Sequence, residues 1–449
     1  MTRVLIPSGA LGLGYDADAL ARGIALGPDL IAIDGGSTDS GPSYLGRGVS
    51  KYARASTKLE WQGLILARAQ AGCPLVIGTA GTCGSDGMVD WLVEITREIL
   101  AEQGLSAKIV TIKSEQPASR ITEALTHGKI RALPAAPDIN ANIINECSHI
   151  VALAGAEQIT AALQTGADII IVGRTTDTAI IAALPIMNGL NPGPAWHGAK
   201  IGECGALCAT NPLSGVITVD FDNDGFTITP LAEGAHATPH TVSAHMLYEN
   251  TDPFILFEPG GHLDVTDAQY SALDSTRVRV TGSVWHPSDT YSVKLEGARV
   301  AGYQSIIMVF VRDAHYVKNI QKWCDDIAVK HSEKTCARLG LMPDEFTVEL
   351  RIVGQNATLG ALENRETDLT EVGVLAIVTA GDQETAANIA KLLNPYLLHH
   401  PLTQAEEQPT FAFPFSPAEI DRGAIYEFTL NHVMILGDPM EAFVLTELS

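Results

Sequence analysis

The sequence is poor in aromatic residues and in positive charge, and it contains no long uninterrupted apolar run. Aromatic residues make up 6% of the chain, and 29 Lys and Arg face 52 Asp and Glu, which gives a formal net charge of −23. We do not expect so acidic a chain to bind nucleic acid or an anionic membrane. No stretch approaches the ~18 apolar residues of a membrane-crossing helix, so we expect no membrane span.

Cysteine is also scarce and scattered. The seven cysteines are odd in number and follow no disulfide framework, which is typical of reduced thiols in the cytoplasm. Cys204 and Cys208 have a C-x3-C spacing without a second cysteine or histidine pair nearby, and no H-E-x-x-H set occurs. The N-terminal apolar run is too short for a secretory signal. We therefore expect a cytoplasmic protein without a metal or other cofactor.

Glycine and apolar residues are abundant by contrast, and they alternate in a regular way. The first 190 residues repeat one unit, in which a short apolar strand is followed by a turn and an amphipathic stretch. The expected strands lie at residues 4–7, 30–34, 74–78, 108–112, 149–153 and 168–173. This alternation predicts an α/β fold whose N-terminal sheet is mostly parallel and carries helices on both faces.

A change of texture occurs at residues 188–194, where Gly, Asn and Pro replace the helical pattern. We place a domain boundary there. Residues 1–190 are expected to form a Rossmann-like α/β domain, and residues 195–449 an α+β domain that completes the cleft. Strand-like stretches at residues 291–295 and 305–311 and helical patterns at residues 313–339 and 382–393 support the α+β interpretation.

The loop after the second strand combines small and hydroxyl residues with nearby positive charge. Residues 35–41 are Gly-Gly-Ser-Thr-Asp-Ser-Gly, and Arg47, Lys51, Arg54 and Lys58 follow with no acidic residue among them. Backbone N–H groups, hydroxyls and cations together suit a carboxylate or a phosphate. The same residues also fit a solvated basic loop that pairs with acidic neighbours, and the sequence leaves both interpretations open.

Two further positions carry charge where a ligand crevice is expected. Arg174 follows a strongly apolar strand and is expected to project into the crevice as an anion anchor. Asp177 either caps the next helix or acts as an acid or base. Lys294 and Glu296 share one face of a later strand, where they either pair or line the cleft.

Two nucleotide-binding patterns are missing. The glycines at positions 9, 12 and 14 do not form G-x-G-x-x-G, and no P-loop sequence occurs. These glycines are better explained by a tight turn between strand and helix. We therefore predict no nicotinamide cofactor.

Four motifs follow one another in a characteristic order. They are Gly173-Arg-x-x-Asp177, Glu203-Cys-Gly205, Thr241-Val-x-x-x-x-Leu-Tyr-Glu249 with Asp252-Pro253, and Val278-x-Val280-x-Gly282 followed by Lys294 and Gly302-Tyr303. Together they resemble the acyclic terpene utilisation (AtuA-like) family. The resemblance implies an α/β N-terminal domain and cytoplasmic catabolism of organic acids or acyl compounds, often with a small companion protein.

From these residues we expect a lyase (a hydratase or dehydratase) or an isomerase that acts on a small hydroxy- or branched di- or tricarboxylic acid. Asp39 or Asp177 would move the proton, and Lys294 would act as an acid or a carboxylate anchor. The residues expected to bind substrate are Ser37, Thr38, Ser40, Arg47, Thr79, Gly81, Ser114, Arg174, Thr175 and Glu203. The alternatives are an acyl-CoA-processing enzyme of terpene-type catabolism and a non-catalytic binding or scaffold subunit.

Apolar stretches late in the sequence bear on partners. Residues 396–398, 410–416 and 435–444 either pack on their own domain or form a contact with another chain. The expected partners are a small anionic substrate, a second copy of the chain in a homo-oligomer, and a small companion subunit.

Overall fold

The computed structural model describes residues 1–365, 368–406 and 411–448 and divides the chain into two compact units. Unit 1 comprises Met1–Arg299 and Glu427–Ser449, and unit 2 comprises Val300–Tyr426. The predicted boundary at residues 188–194 lies inside unit 1, since later strands pair with the N-terminal sheet. Thr410, at the start of one predicted apolar stretch, lies outside the described residues.

The strands are numbered along the chain. They are β1 (Thr2–Ile6), β2 (Leu30–Asp34), β3 (Leu75–Gly78), β4 (Ile109–Lys113), β5 (Ile130–Ala132), β6 (Cys147–Ala152), β7 (Ile169–Val172), β8 (Ile217–Phe221), β9 (Gly225–Pro230), β10 (Ile255–Glu258), β11 (Gly261–Asp264), β12 (Gln269–Ala272), β13 (Val278–Thr281), β14 (Val284–Pro287), β15 (Ser292–Val311), β16 (Phe346–Val353), β17 (Val372–Ala380), β18 (Glu419–Ile435) and β19 (Val444–Leu448).

The α-helices are numbered in the same way. They are α1 (Ala17–Ala25), α2 (Ser43–Arg47), α3 (Arg54–Ala71), α4 (Asp86–Gln103), α5 (Ala118–Thr126), α6 (Ala141–Asn145), α7 (Ala156–Gln164), α8 (Ala179–Met187), α9 (Pro192–Gly202), α10 (Pro239–Ala244), α11 (Ala314–Lys318), α12 (Ile320–Leu339) and α13 (Gln383–His399).

Unit 1 is built on a ten-stranded sheet whose centre is parallel. Strands β1, β2, β3, β7 and β4 are parallel neighbours in that order. Strands β8, β9, β13 and β12 extend the sheet beyond β1 in antiparallel fashion, and β19 pairs antiparallel with β4 at the other edge. The parallel N-terminal sheet is thus confirmed, and residues after 195 enlarge it.

The two faces of this sheet pack in two separate cores, because side chains of a strand alternate between faces. In β1, Val4 and Ile6 belong to the core that contains α7, α8 and α9, whereas Leu5 belongs to the core that contains α1, α3 and α4. All three side chains are buried. The prediction of helices on both faces is therefore confirmed.

One predicted strand takes a different place. The strand expected at residues 149–153 forms as β6, but it does not join the parallel sheet. It pairs antiparallel with β15, with Gly297 opposite Ile150 and Glu296 opposite Val151. The apolar run does form a strand, and its partner comes from far along the chain, which the local pattern does not reveal.

Unit 2 is an antiparallel sheet covered by long helices. Strand β17 lies between β16 and the Tyr303–Val311 part of β15. Apolar residues of α12 and α13, such as Trp323 and Leu393, pack in the same core as Val309. This arrangement agrees with the α+β expectation for the second half of the chain.

The late apolar stretches pack mostly within their own units. Leu397 lies in the core of unit 2, and Leu436 and Phe443 lie in a core of unit 1. Phe415, in contrast, is 54% exposed. Of the two interpretations, packing against the same unit explains most of these side chains.

A close backbone approach joins the turns after β3 and β7. Gly84 has φ of +65°, and a Cβ built on it would lie 2.3 Å from the amide nitrogen of Arg174. Any side chain here would force the two turns apart. The residue therefore fixes the spacing between two loops that border the ligand crevice of the sheet.

We predict that Gly84→Ala destabilises the protein by about 2 to 4 kcal/mol, since left-handed backbone strain adds to overpacking. Gly104→Ala is the matched control, because Gly104 has φ of +63° but no described atom lies within 4 Å of its Cβ position. Urea denaturation of both variants should show the larger loss for Gly84→Ala. Equal losses would contradict the close approach.

Candidate functional site

The carboxyl ends of β1, β2, β3 and β7 open on a cleft of about 560 Å³ in unit 1. This is the edge of a parallel sheet at which ligands bind in α/β folds. Its lining includes Ser8, Gly9, Ala10, Leu13, Asp34, Ser37, Asp39, Ser40, Lys51, Tyr52, Thr82, Asp177, Cys204, Leu207, Leu213, Tyr248 and Glu249.

The charged groups on the cleft wall are mostly negative. Asp34, Asp39, Asp177 and Glu249 line it, and Lys51 is the one cation among the described lining residues. Such a wall favours a cation or a neutral polar group over an anion. The expectation of a cationic pocket for an anionic substrate therefore lacks electrostatic support.

The cleft also has an apolar side. Leu13, Leu207 and Leu213 line it and are 66%, 45% and 94% exposed. Large apolar side chains left open beside a polar wall are typical of a binding surface for a partly apolar ligand.

Asp34 ends β2 and is buried against the base of the cleft. Its Oδ2 accepts the N–H of Gly36 at 2.9 Å, whereas Oδ1 receives no hydrogen bond of normal geometry from the described residues. Burial, together with the negative charge of Asp177, raises the pKa of Asp34 well above its ordinary value. Burial disfavours the charged form and so favours a proton on Asp34, although the charge of Arg174 and the hydrogen bonds from Gly36 and Thr79 oppose the shift.

Asp177 follows β7 on the same wall. Burial raises the pKa of its carboxyl, and Asp39 adds to this, although the Arg174 guanidinium 3.7 Å away opposes it. The side chain of Asp177 is not the N-cap of α8, which begins after Thr178. Because Asp177 lines the cleft and does not cap α8, its role as an acid or base stays a prediction.

Arg174 is buried and fully engaged by the protein. Its Nε donates to Glu296 Oε2 at 3.0 Å, and its Nη1 donates to Thr79 Oγ1 at 3.1 Å and to the Thr175 carbonyl at 2.9 Å. Burial alone would lower the pKa of Arg174, but the charges of Glu296 and Asp177 outweigh it and raise that pKa. The guanidinium therefore holds the frame of the site together, and its N–H groups are engaged by the protein instead of being free for the anion that the sequence predicts.

Glu296 completes this ion pair from β15. Burial would raise the pKa of its carboxyl, but Arg174 and Lys294 lower it to about 2. Lys294 Nζ lies 3.2 Å from Glu296 Oε1, so the two residues pair as one of the sequence interpretations proposed. Thr38 donates its hydroxyl to Glu296 Oε2 at 2.9 Å and thereby supports the same pair.

The turn after β3 holds two threonines in left-handed backbone conformations. Thr79 has φ of 44° and Thr82 has φ of 76°, which is unusual for β-branched residues. Thr79 Oγ1 accepts from Arg174, and Thr82 Oγ1 accepts the N–H of Lys51 at 3.1 Å. Side-chain hydrogen bonds therefore tie this turn to both neighbouring loops.

A second buried ion pair lies where α9 ends. Lys200 Nζ hydrogen-bonds to Glu203 Oε1, and both side chains are buried. Burial raises the pKa of Glu203 to about 8, although Lys200 opposes the shift. Cys204, the next residue, lies on the cleft wall.

Two of the four expected loop cations are paired at the surface. Arg54 and Lys58 lie on α3 and form ion pairs with Glu98, and Lys58 also contacts Glu102 at 2.6 Å. Both acidic partners lie on α4, one turn apart. The interpretation of a solvated basic segment that pairs with acidic neighbours is right for these two residues.

The predicted site residues fall into three groups. Those on the cleft wall are Ser37, Asp39, Ser40 and Asp177. Those buried in the frame around it are Thr38, Thr79, Ser114, Arg174, Thr175 and Glu203. Arg47, Gly81 and Lys294 are not among the lining residues, and Arg47 is exposed at the end of α2.

Ser114 illustrates a structural role for a residue expected to bind substrate. Its Oγ accepts the N–H of Arg174 at 2.7 Å and donates to the Gly84 carbonyl at 3.3 Å. The hydroxyl thus joins the same two turns that Gly84 brings together, and its lone pairs are not directed at a ligand.

The sequence analysis missed Asp34, although a signal was present, since this carboxyl residue closes an otherwise apolar strand. Glu258, by contrast, has no signal in the sequence, because its contact with Thr178 forms only on folding. Glu258 Oε1 accepts from Thr178, and its Oε2 is buried without a hydrogen bond from the described residues. Burial raises the pKa of Glu258 to about 7.

A family model described as acyclic terpene utilisation family protein AtuA matches residues 53–188 and 213–423. The chain belongs to this family. No curated protein and no solved structure gives a match. None of the helices in the described part of this AtuA-family chain is long and apolar enough to cross a membrane.

The two matched segments contain only part of the site. Arg174, Asp177 and Glu296 lie within them, whereas Asp34 and Glu203 lie outside. The family match therefore includes more of the residues buried around the cleft than of the residues that line it.

We predict that Arg174→Met destabilises the AtuA-family protein by about 3 to 5 kcal/mol, because Glu296 would remain buried with its main countercharge removed. Arg277→Met, which breaks an exposed pair with Asp274, should cost less than about 1 kcal/mol. Urea denaturation compares the two. An Arg174 variant of unchanged stability would support the original role as a free anion anchor.

A second prediction concerns pH and Glu258. Its raised pKa means that the folded state keeps a proton up to about pH 7, whereas the unfolded state loses it near 4.5, so stability falls as pH rises through that window. The effect of Glu258→Gln on the free energy of unfolding should therefore be more favourable near pH 8 than near pH 5, by about 1 to 2 kcal/mol. Thermal unfolding at both pH values measures this, with Glu94→Gln on the exposed face of α4 as the charge control.

Proposed function

We propose that this protein is a lyase or isomerase that moves a proton beside the carbonyl group of an organic acid or its acyl derivative. The observation that carries the proposal is the pair of carboxyl groups, Asp34 and Asp177, on one cleft wall with raised pKa values. In such a pair one group holds a proton while the other is ionised. The site then contains an acid and a base at the same time.

The chemistry follows from these two states. In a dehydration, the ionised carboxylate removes a proton from the carbon beside the carbonyl, and the protonated carboxyl gives its proton to the leaving hydroxyl, which departs as water. In an isomerisation, the proton returns to another carbon of the same skeleton. Ser8 and Ser40 also line the cleft, and their hydroxyls would orient substrate oxygens, whereas the Ser37 hydroxyl donates to Asp39.

The cleft wall guides the choice of substrate. Four carboxyl groups against Lys51 disfavour a small dicarboxylate, and Arg174 is already neutralised by Glu296. An acyl compound whose reacting end is uncharged, such as a thioester, suits this wall better. The apolar side with Leu13 and Leu213 suits a branched chain, in keeping with a family named for acyclic terpene utilisation. We therefore favour the acyl-processing alternative.

A hydroxy- or branched di- or tricarboxylic acid is the second candidate. Lys51 is the observation in its favour, because this cation lines the same cleft as Ser37 and Ser40. This candidate needs a bound cation to offset the acidic wall.

The proton-transfer proposal predicts exchange of substrate hydrogen with solvent. Branched acyl thioesters and hydroxy acids are incubated with the protein in D2O, and deuterium uptake at carbon is read by mass spectrometry. Asp34→Asn and Asp177→Asn should each slow the uptake by about 100-fold or more, the usual contribution of a general acid or base. Asp90→Asn, which breaks an exposed pair with Lys113, should leave it unchanged.

The panel also discriminates among the alternatives. Uptake with thioesters supports the favoured substrate class, and uptake with hydroxy acids alone supports the second. Absence of exchange with every compound, with and without a companion protein, contradicts the enzyme proposal and favours a binding or scaffold subunit.

We further propose that the protein acts in the cytoplasm, as a homo-oligomer, with a small companion subunit. The exposed Phe415 supports a contact with another chain. Light scattering with and without the companion measures both assemblies.

A further inference from the structure

Three side chains of different chemistry meet beside the cleft. A carboxylate oxygen of Glu203, the Cys204 sulfur and a ring nitrogen of His245 all lie within 4.8 Å of one another. Glu203 and His245 are buried, and Cys204 is half-buried. Glu203 and Cys204 follow α9, whereas His245 follows α10, so folding brings the three together.

His245 provides an independent observation that points to a ligand. The residue is only 5% exposed, and its Nε2 has no hydrogen-bond partner among the described residues. The ring stacks on Tyr248 with centroids 5.4 Å apart, which fixes its plane. An unsatisfied buried nitrogen is costly, and ligation of an ion is one way to satisfy it.

We propose that Glu203, Cys204 and His245 bind one divalent transition-metal ion, with Zn²⁺ as the preferred occupant. A sulfur, a nitrogen and an oxygen ligand form a mixed set that Zn²⁺ accepts. Mg²⁺ and Ca²⁺ require oxygen ligands and are disfavoured here. The sequence alone predicts no metal, because it contains none of the short ligand spacings and this set includes a residue from a distant segment.

The surrounding charges are compatible with the ion. The positive charge of Lys200 disfavours a nearby cation. Its hydrogen bond, however, occupies only Oε1 of Glu203 and holds the carboxylate in place. The negative groups of Asp177 and Glu249 lie on the adjoining cleft wall. A bound Zn²⁺ would offset this acidic wall.

The position of Cys204 connects the site to the cleft. Since Cys204 lines the cleft with Tyr248 and Glu249, an ion held by its sulfur is close to the cleft wall. Three protein ligands leave a coordination position for water or for a substrate oxygen, as in catalytic zinc sites. The ion would thus add a Lewis acid to the cleft, whichever substrate binds there.

The test measures binding and does not depend on activity. The full chain is stripped with a chelator and titrated with Zn²⁺ by calorimetry, and the bound ion is counted by elemental analysis after gel filtration. We expect one ion per chain. Cys204→Ser, His245→Gln and Glu203→Gln should each weaken the affinity at least about tenfold. Loss of a residue that only supports a metal ligand already has an effect of this size, and loss of a direct ligand should have at least the same effect.

Matched controls remove the same residue types elsewhere. His240 lies on α10 and Cys336 lies on α12. The variants His240→Gln and Cys336→Ser should both bind Zn²⁺ with the affinity of the unmodified chain. Circular dichroism checks folding of every variant.

Titration of the unmodified chain with Co²⁺ provides a second readout that needs no variant. Ligation by Cys204 should produce a thiolate-to-cobalt charge-transfer band. Lack of that band, lack of Zn²⁺ binding, or an affinity in all three ligand variants equal to that of the unmodified chain would each overturn the proposal. Because no substrate is used, these outcomes are independent of the deuterium exchange that tests the proposed function.

Discussion

The buried ion pair between Arg174 and Glu296 is the interaction on which the site depends. Two hydrogen bonds join the charges, and further bonds from the guanidinium reach Thr79 after β3 and Thr38 after β2. One side chain thereby connects the ends of three parallel strands to β15. Burial of such a pair contributes little net free energy by itself, but loss of either partner leaves an uncompensated buried charge, so this arrangement is costly to break.

That arrangement has an electrostatic consequence. Because Arg174 is neutralised by Glu296, it cannot neutralise a second carboxylate fully. Burial therefore raises the pKa values of Asp34 and Asp177, and the charge of Asp177 adds to the first shift while that of Asp39 adds to the second. Perturbed carboxyl groups concentrate at this end of the sheet, as Glu203 and Glu258 also show. Such clustering is typical of a functional site and is costly in a purely structural one.

The local pattern of the sequence predicts the elements well and their partners poorly. Five apolar runs become the parallel centre of the sheet, since each is short, β-rich and bounded by turns. The run at residues 149–153 pairs elsewhere, and the boundary at residues 188–194 lies inside unit 1, because pairing with β15 and β8 depends on distant residues.

The same limit applies to the site. Asp39 and Asp177 were found because they follow predicted strands, and both line the cleft. The sequence also singles out Arg174, but it does not show that Glu296 meets the guanidinium and engages it. His245 has no local signal at all, since only the fold brings it to Cys204.

The left-handed threonines after β3 bear on how a ligand enters. Thr79 and Thr82 adopt conformations that each cost about 1 to 3 kcal/mol, and these persist because hydrogen bonds to Arg174 and Lys51 hold them. The hydrogen bonds to Arg174 and Lys51 oppose relaxation of this turn. We therefore expect this part of the cleft wall to keep its conformation when a ligand binds and to lose little conformational entropy on binding.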